Sequence, residues 1–260
     1  MKSKYIHNLI ARGEHQQLDF KFEISSARKI ARTFSAFANT DGGTLLIGVK
    51  DNGAIAGVRS EEEKFMAESA ATLFCKPAVH FVSKEWIIND KVILEIIIRK
   101  GEEVPYFAKN DEDNWRVYIR VNDQNILANK ILVKAMKRKN SGTGTYIKYT
   151  EKEKFLLEYL EKHNSITFSS FKKLAKVSPY RAENILTNFL SLDIITIDVS
   201  EKGVVYRLSE NFGELEDWFL LRYKGYLESV CKVNGVNIPS LAPPLKLQRH
   251  ADETSETHPV

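Results

Sequence analysis

Basic side chains recur along this chain in spacings that could follow a row of phosphates. Arg28, Lys29 and Arg32 fall on the polar side of a helical pattern running from Ser26 to Phe37, and such a cluster forms a short ridge able to neutralise phosphate oxygens. Charges on a helix face also serve simply to solvate it, and the residues leave both readings open. Lys21 projects from an alternating stretch just before this ridge. Arg116, Tyr118 and Arg120 share one face of an extended segment, which places two guanidinium groups together. The densest excess comes later. From Lys130 to Lys154 eight basic residues, Lys137, Arg138 and Lys139 among them, stand against only Glu151 and Glu153, and this strip between two folded segments suits phosphate contact.

Other chemistries find less support. Gly43-Thr44-Leu45-Leu46-Ile47-Gly48 has the glycine spacing of a phosphate loop, but Val49 stands where that loop needs Lys. The intervening residues form an apolar strand rather than a cradle of exposed N–H groups. The six histidines are scattered, with no Ser-His-Asp or Cys-His arrangement. Cys75 and Cys231 lack metal-ligand spacing, which points to reduced, buried thiols in an intracellular protein.

The elements that must position these residues can be read from periodicity. The chain is organised around Phe34 to Gly53: the end of an apolar helix, the polar turn Asn39-Thr40-Asp41-Gly42-Gly43, a strand from Thr44 to Val49 expected to be central, and an Asp51-Asn52-Gly53 hairpin turn. Gly48 lets another backbone approach that strand closely. Before it, Met1 to Gly13 suits a short helix. Leu18, Phe20 and Phe22 alternate with Asp19, Lys21 and Glu23, predicting a half-buried strand with Asp19 and Lys21 on the face away from the core. After it come a helix over Glu61 to Phe74 and strands at Val79 to Val82, Glu85 to Ile88, Lys91 to Arg99, Val104 to Phe107 and Arg116 to Val121. A basic helix from Asn129 leads into the polar stretch 140–145. The expectation is an α+β protein with a mixed sheet over residues 1–135 and a basic, flexible linker over 136–149.

Residues 150–209 predict a second, small domain. Thr150 and Glu153 form a capping box for one helix, Thr167 to Val177 makes another, and Ser178-Pro179 caps a third that runs to Leu192. Ile194 to Val199 and Val204 to Leu208 then form a hairpin. Three helices and a two-stranded wing is the winged helix-turn-helix plan. In it Ser178, Tyr180, Arg181 and Asn184 face a major groove, and Lys202 on the wing reaches a phosphate. Such domains also dock proteins or dimerise. Over 210–260 the expectation is a helix from Phe212 to Tyr226, then a disordered tail.

The whole chain of 260 residues is 43% hydrophobic and 28% charged with a net charge of +4, an ordinary globular composition sized for two domains. Its N-terminus does not resemble a signal peptide and its apolar runs are strand-sized, so a cytoplasmic protein is expected.

Residues 10 to 130 resemble the Schlafen AlbA-like domain, on four blocks in order: Glu14 to Lys21, Ala36 to Gly43 with Leu46-Ile47-Gly48-Val49, Asp51-Asn52-Gly53, and Tyr118-Ile119-Arg120-Val121. The resemblance implies a nucleic-acid-binding regulator, DNA ahead of RNA, linked to a winged helix and working as a homodimer. It also implies an alternative. In RNA-cleaving relatives three carboxylates hold Mg²⁺ or Mn²⁺, and the matching positions here are Glu14, Asp19 and Asp51, with Asp19 one methylene shorter than the usual Glu. Hard carboxylate oxygens suit those ions. A dimeric protein-interaction scaffold is the remaining alternative, and the leading reading calls for neither metal nor other cofactor.

Overall fold

The computed structural model describes residues 2–58, 62–141, 145–147, 149–200, 203–210, 212 and 245–247. The chain divides into two units, Met1–Asn140 and Ser141–Val260. Among the described residues no helix is long and apolar enough to cross a membrane.

Unit 1 is a mixed α+β structure built on two four-stranded sheets. The first has the order β1 (Leu18–Lys21), β2 (Gly43–Ile47), β5 (Lys91–Ile98), β4 (Phe81–Ile88), with β1 and β2 parallel and the other pairs antiparallel. The second, antiparallel throughout, runs β3 (Cys75–Lys76), β6 (Phe107–Lys109), β7 (Trp115–Val121), β8 (Gln124–Leu127). Helix α2 (Ala27–Asn39) joins them. Ile30, Phe34 and Phe37 recur at helical spacing and are buried with Leu45, Ile47, Leu94 and Ile96 from the first sheet and Ala108 from the second. Burying three such side chains contributes about 1.5–3 kcal/mol each. Helix α1 (Lys2–Ala11) covers the other face of the first sheet, where Ile6 joins Leu18, Phe20, Leu46, Trp86 and Ile93. Helices α3 (Glu62–Thr72) and α4 (Lys130–Asn140) complete the unit.

β2 is central, between β1 and β5. Its flanking glycines do what close approach demands: Gly42 has φ +71° with the carbonyl of Ile98 only 2.7 Å from where a Cβ would lie, and Gly48, at φ +93°, faces Gly57 at 2.9 Å. The turn after β2 returns only as the isolated bridge Val49 to Ile55, not as a strand.

Three further expectations change. Asn39 is the last residue of α2 rather than a turn residue, and it is buried. The segment predicted as two strands around residues 82 and 85 is one strand, β4, because Ser83 and Lys84 alternate in step with the ladder. Lys137, Arg138 and Lys139 are the last turn of α4 rather than flexible linker, a placement that complements the helix dipole.

In unit 2, α5 (Glu151–His163), α6 (Phe168–Leu174) and α7 (Pro179–Ser191) precede an antiparallel pair, β10 (Ile195–Ser200) and β11 (Gly203–Leu208). The Thr150–Glu153 capping box is present, and Thr167 and Ser178 cap α6 and α7. Leu156, Leu160, Phe171, Ile185, Leu186, Phe189 and Tyr206 are buried here, and Ile166 bridges Tyr206. A further pair joins β9 (Thr145–Ile147) to β12 (Leu245–Leu247). The predicted 212–226 helix and the C-terminal tail lie outside the described residues apart from these fragments, as does Cys231. Cys75 is buried against the carbonyl of Ala31, and burial pushes its thiol up to about 12, which makes it unreactive.

Candidate functional site

The open end of the first sheet gathers two carboxylates and two cations. On β1, Leu18 and Phe20 point to the α1 side, so Asp19 and Lys21 point to the other. That other face is a second core, closed by α2 and the second sheet, and the expectation of a solvent-facing Asp19 is corrected: it is buried. Arg120, reaching over from β7, places Nη2 3.1 Å from Asp19 Oδ1 and also donates to the carbonyls of Leu18 and His15 and to Asn125 Oδ1. Its guanidinium lies over the Phe37 ring, 5.2 Å from the centroid. Arg120 is thus structural and does not share an exposed face with Arg116, because β7 passes from the sheet rim at Arg116 into the interior at Arg120.

Lys21 Nζ donates to the carbonyl of Phe20, lies 2.9 Å from Asp19 Oδ2 and 3.9 Å from Glu14 Oε1. Glu14 accepts from the backbone N–H of Phe20 at 2.8 Å. Burial, reinforced by the neighbouring Asp19 carboxylate, raises the Glu14 carboxyl above its ordinary range, against the Phe20 N–H, which lowers it. His15 is pushed down, first by burial and then by Arg12 and Arg120. The neutral ring accepts from the N–H of Gln17 at Nδ1. Gln16 and Gln17 pin the segment to Asp41 and to the β7–β8 hairpin through Arg120 and Asn122.

Asp51 is exposed in the turn after β2, closed by the Gly53 N–H to Lys50 carbonyl bond. Among the described residues no three His, Cys, Asp or Glu side chains are arranged to hold a metal ion. Glu14 and Asp19 come together and Asp51 does not join them. The two carboxylates already share the Lys21 ammonium, and Asp19 is further neutralised by Arg120. This donor set does not fit a divalent cation, which needs several converging oxygens.

The predicted ridge on α2 has partners the sequence did not name. Arg28 Nη1 donates to the carbonyl of Asn110 and to Asp113 Oδ1 at 2.8 and 2.5 Å, and Arg32 Nη2 donates to Asp111 Oδ2 at 2.6 Å. The Asp113 carboxyl is held below its usual range by Arg28 and Lys109. Lys29 is exposed beside them, as is Arg116 at the rim of β7. Lys137 stacks its ammonium 5.3 Å from the Phe107 ring, while Arg138 and Lys139 are half-buried.

In unit 2, Arg181 is drawn away from the exposed start of α7. Its Nη2 lies 2.9 Å from the buried Glu153 carboxylate and 3.3 Å from Thr150 Oγ1, so it ties α7 to the cap of α5. Tyr180 is 73% exposed, Asn184 half-buried, and Ser178 spends its hydroxyl capping the helix at Arg181 N. Lys202 lies outside the described residues. Sequence reasoning passed over Lys172, Lys173 and Lys176. They sit at the corner between α6 and α7, with Lys173 and Lys176 exposed, and the signal was the run of cations directly before the capped Ser178-Pro179.

Residues 14–129 match the family model described as Schlafen, AlbA_2. No curated protein matches the chain. Several solved structures resemble it. The DIP2311 protein of Corynebacterium diphtheriae is 18% identical, with a TM-score of 0.43 over 80% of this chain and 38% of that one. The N-terminal domain of a RecG-related protein from Nitrosomonas europaea is 19% identical, with a TM-score of 0.35 over 48% of this chain and 95% of that one. The chain therefore spans well under half the length of the Corynebacterium protein.

Proposed function

From the match of residues 14–129 to the Schlafen, AlbA_2 family, we propose that this chain is a nucleic-acid-binding protein and acts as a DNA-binding transcriptional regulator, a cytoplasmic homodimer whose unit 2 is a winged helix. The observation that carries the proposal is the corner between α6 and α7. There Lys172, Lys173 and Lys176 precede, and the exposed ring of Tyr180 begins, a 13-residue helix with no acidic residue in its first turn. Lysine ammoniums, a helix N-terminus and an aromatic tip are the groups that seat a helix against a phosphate backbone. The three helices, the following antiparallel pair and the Ile166–Tyr206 bridge support the winged-helix reading. In unit 1, the exposed Lys29 and Arg116 and the Lys137 ammonium remain the predicted phosphate contacts, while Arg120 and Arg181 leave that set.

The test is anisotropy of labelled duplex DNA and of tRNA with the full chain across a salt gradient. The Lys172→Ala/Lys173→Ala/Lys176→Ala variant should flatten the log–log salt dependence by about 0.9 for each lost contact on duplex DNA. An unchanged slope removes the α6–α7 corner from the interface. Cutting of either nucleic acid that requires Mn²⁺ and disappears in Glu14→Ala would replace the regulator with a nuclease.

A further inference from the structure

The turn joining β6 to β7 reads Asn110-Asp111-Glu112-Asp113-Asn114. It is held in shape by its own bonds: Asn110 Oδ1 accepts from the N–H groups of Glu112 and Asn114, Asn110 N donates to the carbonyl of Asn114, and Asp113 N donates to that of Asn110. A turn this well tied could point its carboxylates anywhere. It points them at the one basic ridge on α2.

Asp113 takes Arg28 and Lys109, at 2.5 and 3.2 Å, and Asp111 takes Arg32 at 2.6 Å. The two guanidiniums are a turn apart on α2 and lie over Phe74 and Tyr118, 5.0 and 6.0 Å from the ring centroids, so each has a contact that does not depend on the carboxylates. Arg32 keeps an enclosed Nε with no hydrogen-bond partner, so its donors are not all spent on the turn. The Asp side chains, by contrast, are 62% exposed. Ion pairs this open to water contribute little to stability and are screened by salt, and they are readily exchanged for another anion.

We propose that the 110–114 turn is an internal phosphate mimic: Asp111 and Asp113 occupy the α2 arginines and hold down the affinity of unit 1 for nucleic acid until a polyanion displaces them. This inference rests on the nucleic-acid reading above and concerns its regulation. Two carboxylates offset the charge of the two arginines, and a phosphodiester backbone, whose binding releases condensed counterions, replaces them with a gain that grows as salt falls.

The test uses the full chain and four forms: wild type, Asp111→Asn/Asp113→Asn, the charge-matched control Glu102→Gln/Glu103→Gln, and the amide pair combined with Arg28→Ala/Arg32→Ala, each checked for an unchanged circular dichroism spectrum. The control removes the same net charge from exposed positions in the loop before β6. The amide pair should bind labelled duplex DNA or tRNA roughly tenfold more tightly than wild type at about 0.1 M salt, with a salt slope on duplex DNA steeper by up to about 1.8, because two carboxylates no longer have to be displaced from the arginines. Removing the arginines should cancel that gain. A gain no larger than that of the control, or one that survives loss of the arginines, overturns the mimic while leaving nucleic-acid binding intact. Binding by none of the four forms overturns the nucleic-acid reading itself and the mimic with it.

Discussion

Arg120 Nη2 stands 3.1 Å from Asp19 Oδ1 with both side chains almost wholly out of solvent, and the pair ties β7 of one sheet to β1 of the other. The same guanidinium serves the carbonyls of His15 and Leu18. Truncating it as Arg120→Met breaks a buried ion pair, leaves Asp19 with the Lys21 ammonium as its remaining cation and takes one of two donors from each carbonyl, and should cost about 3–5 kcal/mol in urea denaturation. Asp19→Leu combined with Arg120→Met should recover much of that loss. A cost below about 1 kcal/mol for the single variant would mean that water reaches the pair.

Asn39 is the second cross-brace. Its Nδ2 donates to the carbonyls of Tyr106 and Tyr118 and its Oδ1 accepts from the N–H of Tyr106, so one amide joins α2 to the second sheet. Asn39→Ala should destabilise unit 1 by several kcal/mol, about 1–3 for each buried group left unpaired. Asn39→Asp keeps the acceptor for the Tyr106 N–H but turns a carboxylate oxygen on two carbonyls in a buried site, and calorimetry should show it costing at least as much as Asn39→Ala.

Gly42 and Gly13 have nearly the same left-handed φ, +71° and +69°, yet only Gly42 has backbone within 3 Å of the Cβ position. Gly13→Ala should therefore cost only the conformational penalty, about 1–2 kcal/mol. Gly42→Ala should cost at least about 2 kcal/mol more, because β2 and the end of β5 must part to admit a methyl. Equal costs in parallel melts would show that the two backbones separate freely.

His15 titrates below its ordinary value near 6.5, so the folded chain prefers the neutral ring. The sign follows from linkage: its stabilising contribution is full above about pH 6.5 and is lost as pH falls toward the lowered folded value, since the unfolded chain takes up the proton first. Glu14, raised in the fold, acts in the opposite direction, so the check is a difference. Urea midpoints at pH 7.5 and 5.5 should separate less in His15→Gln than in wild type. Identical separations would place the His15 ring in bulk water.

Arg181→Ala should lower the melting point of the chain, at a cost of about 1 kcal/mol given the half-exposed guanidinium, because Glu153 loses its cation and keeps only the bonds of the capping box. Its effect on DNA affinity should be smaller than that of Lys176→Ala. The reverse order in anisotropy would return Arg181 to the reading surface.

Elements with local signatures were legible in the chain. The Thr150–Glu153 box, the Ser178-Pro179 start of α7 and the 3.6-residue pattern of α2 depend on neighbours a few positions away. What could not be read depends on distant ones. Arg28 and Arg32 find their carboxylates 85 and 79 positions later. Alternation in β1 names two faces, and it takes β7, a hundred residues on, to close the second face over Asp19. Arg181 looked like a reader because an arginine near a helix start is free until something from another helix claims it. β8 went unpredicted because Gln124-Asn125-Ile126-Leu127 has no alternation, and only its pairing with β7 makes it a strand.

Glu14 has a consequence of another kind. β1 is the outer strand of its sheet, and the Phe20 N–H is the donor that such a rim offers to any passing strand. The Glu14 carboxylate occupies it, and the Lys21 ammonium takes the Phe20 carbonyl. Two side chains thereby plug both hydrogen-bonding groups of one rim residue, so that a second chain arriving in extended form meets fixed charges instead of a template. Read this way, the pair is a guard against self-association, and its removal should show first in light scattering of concentrated protein.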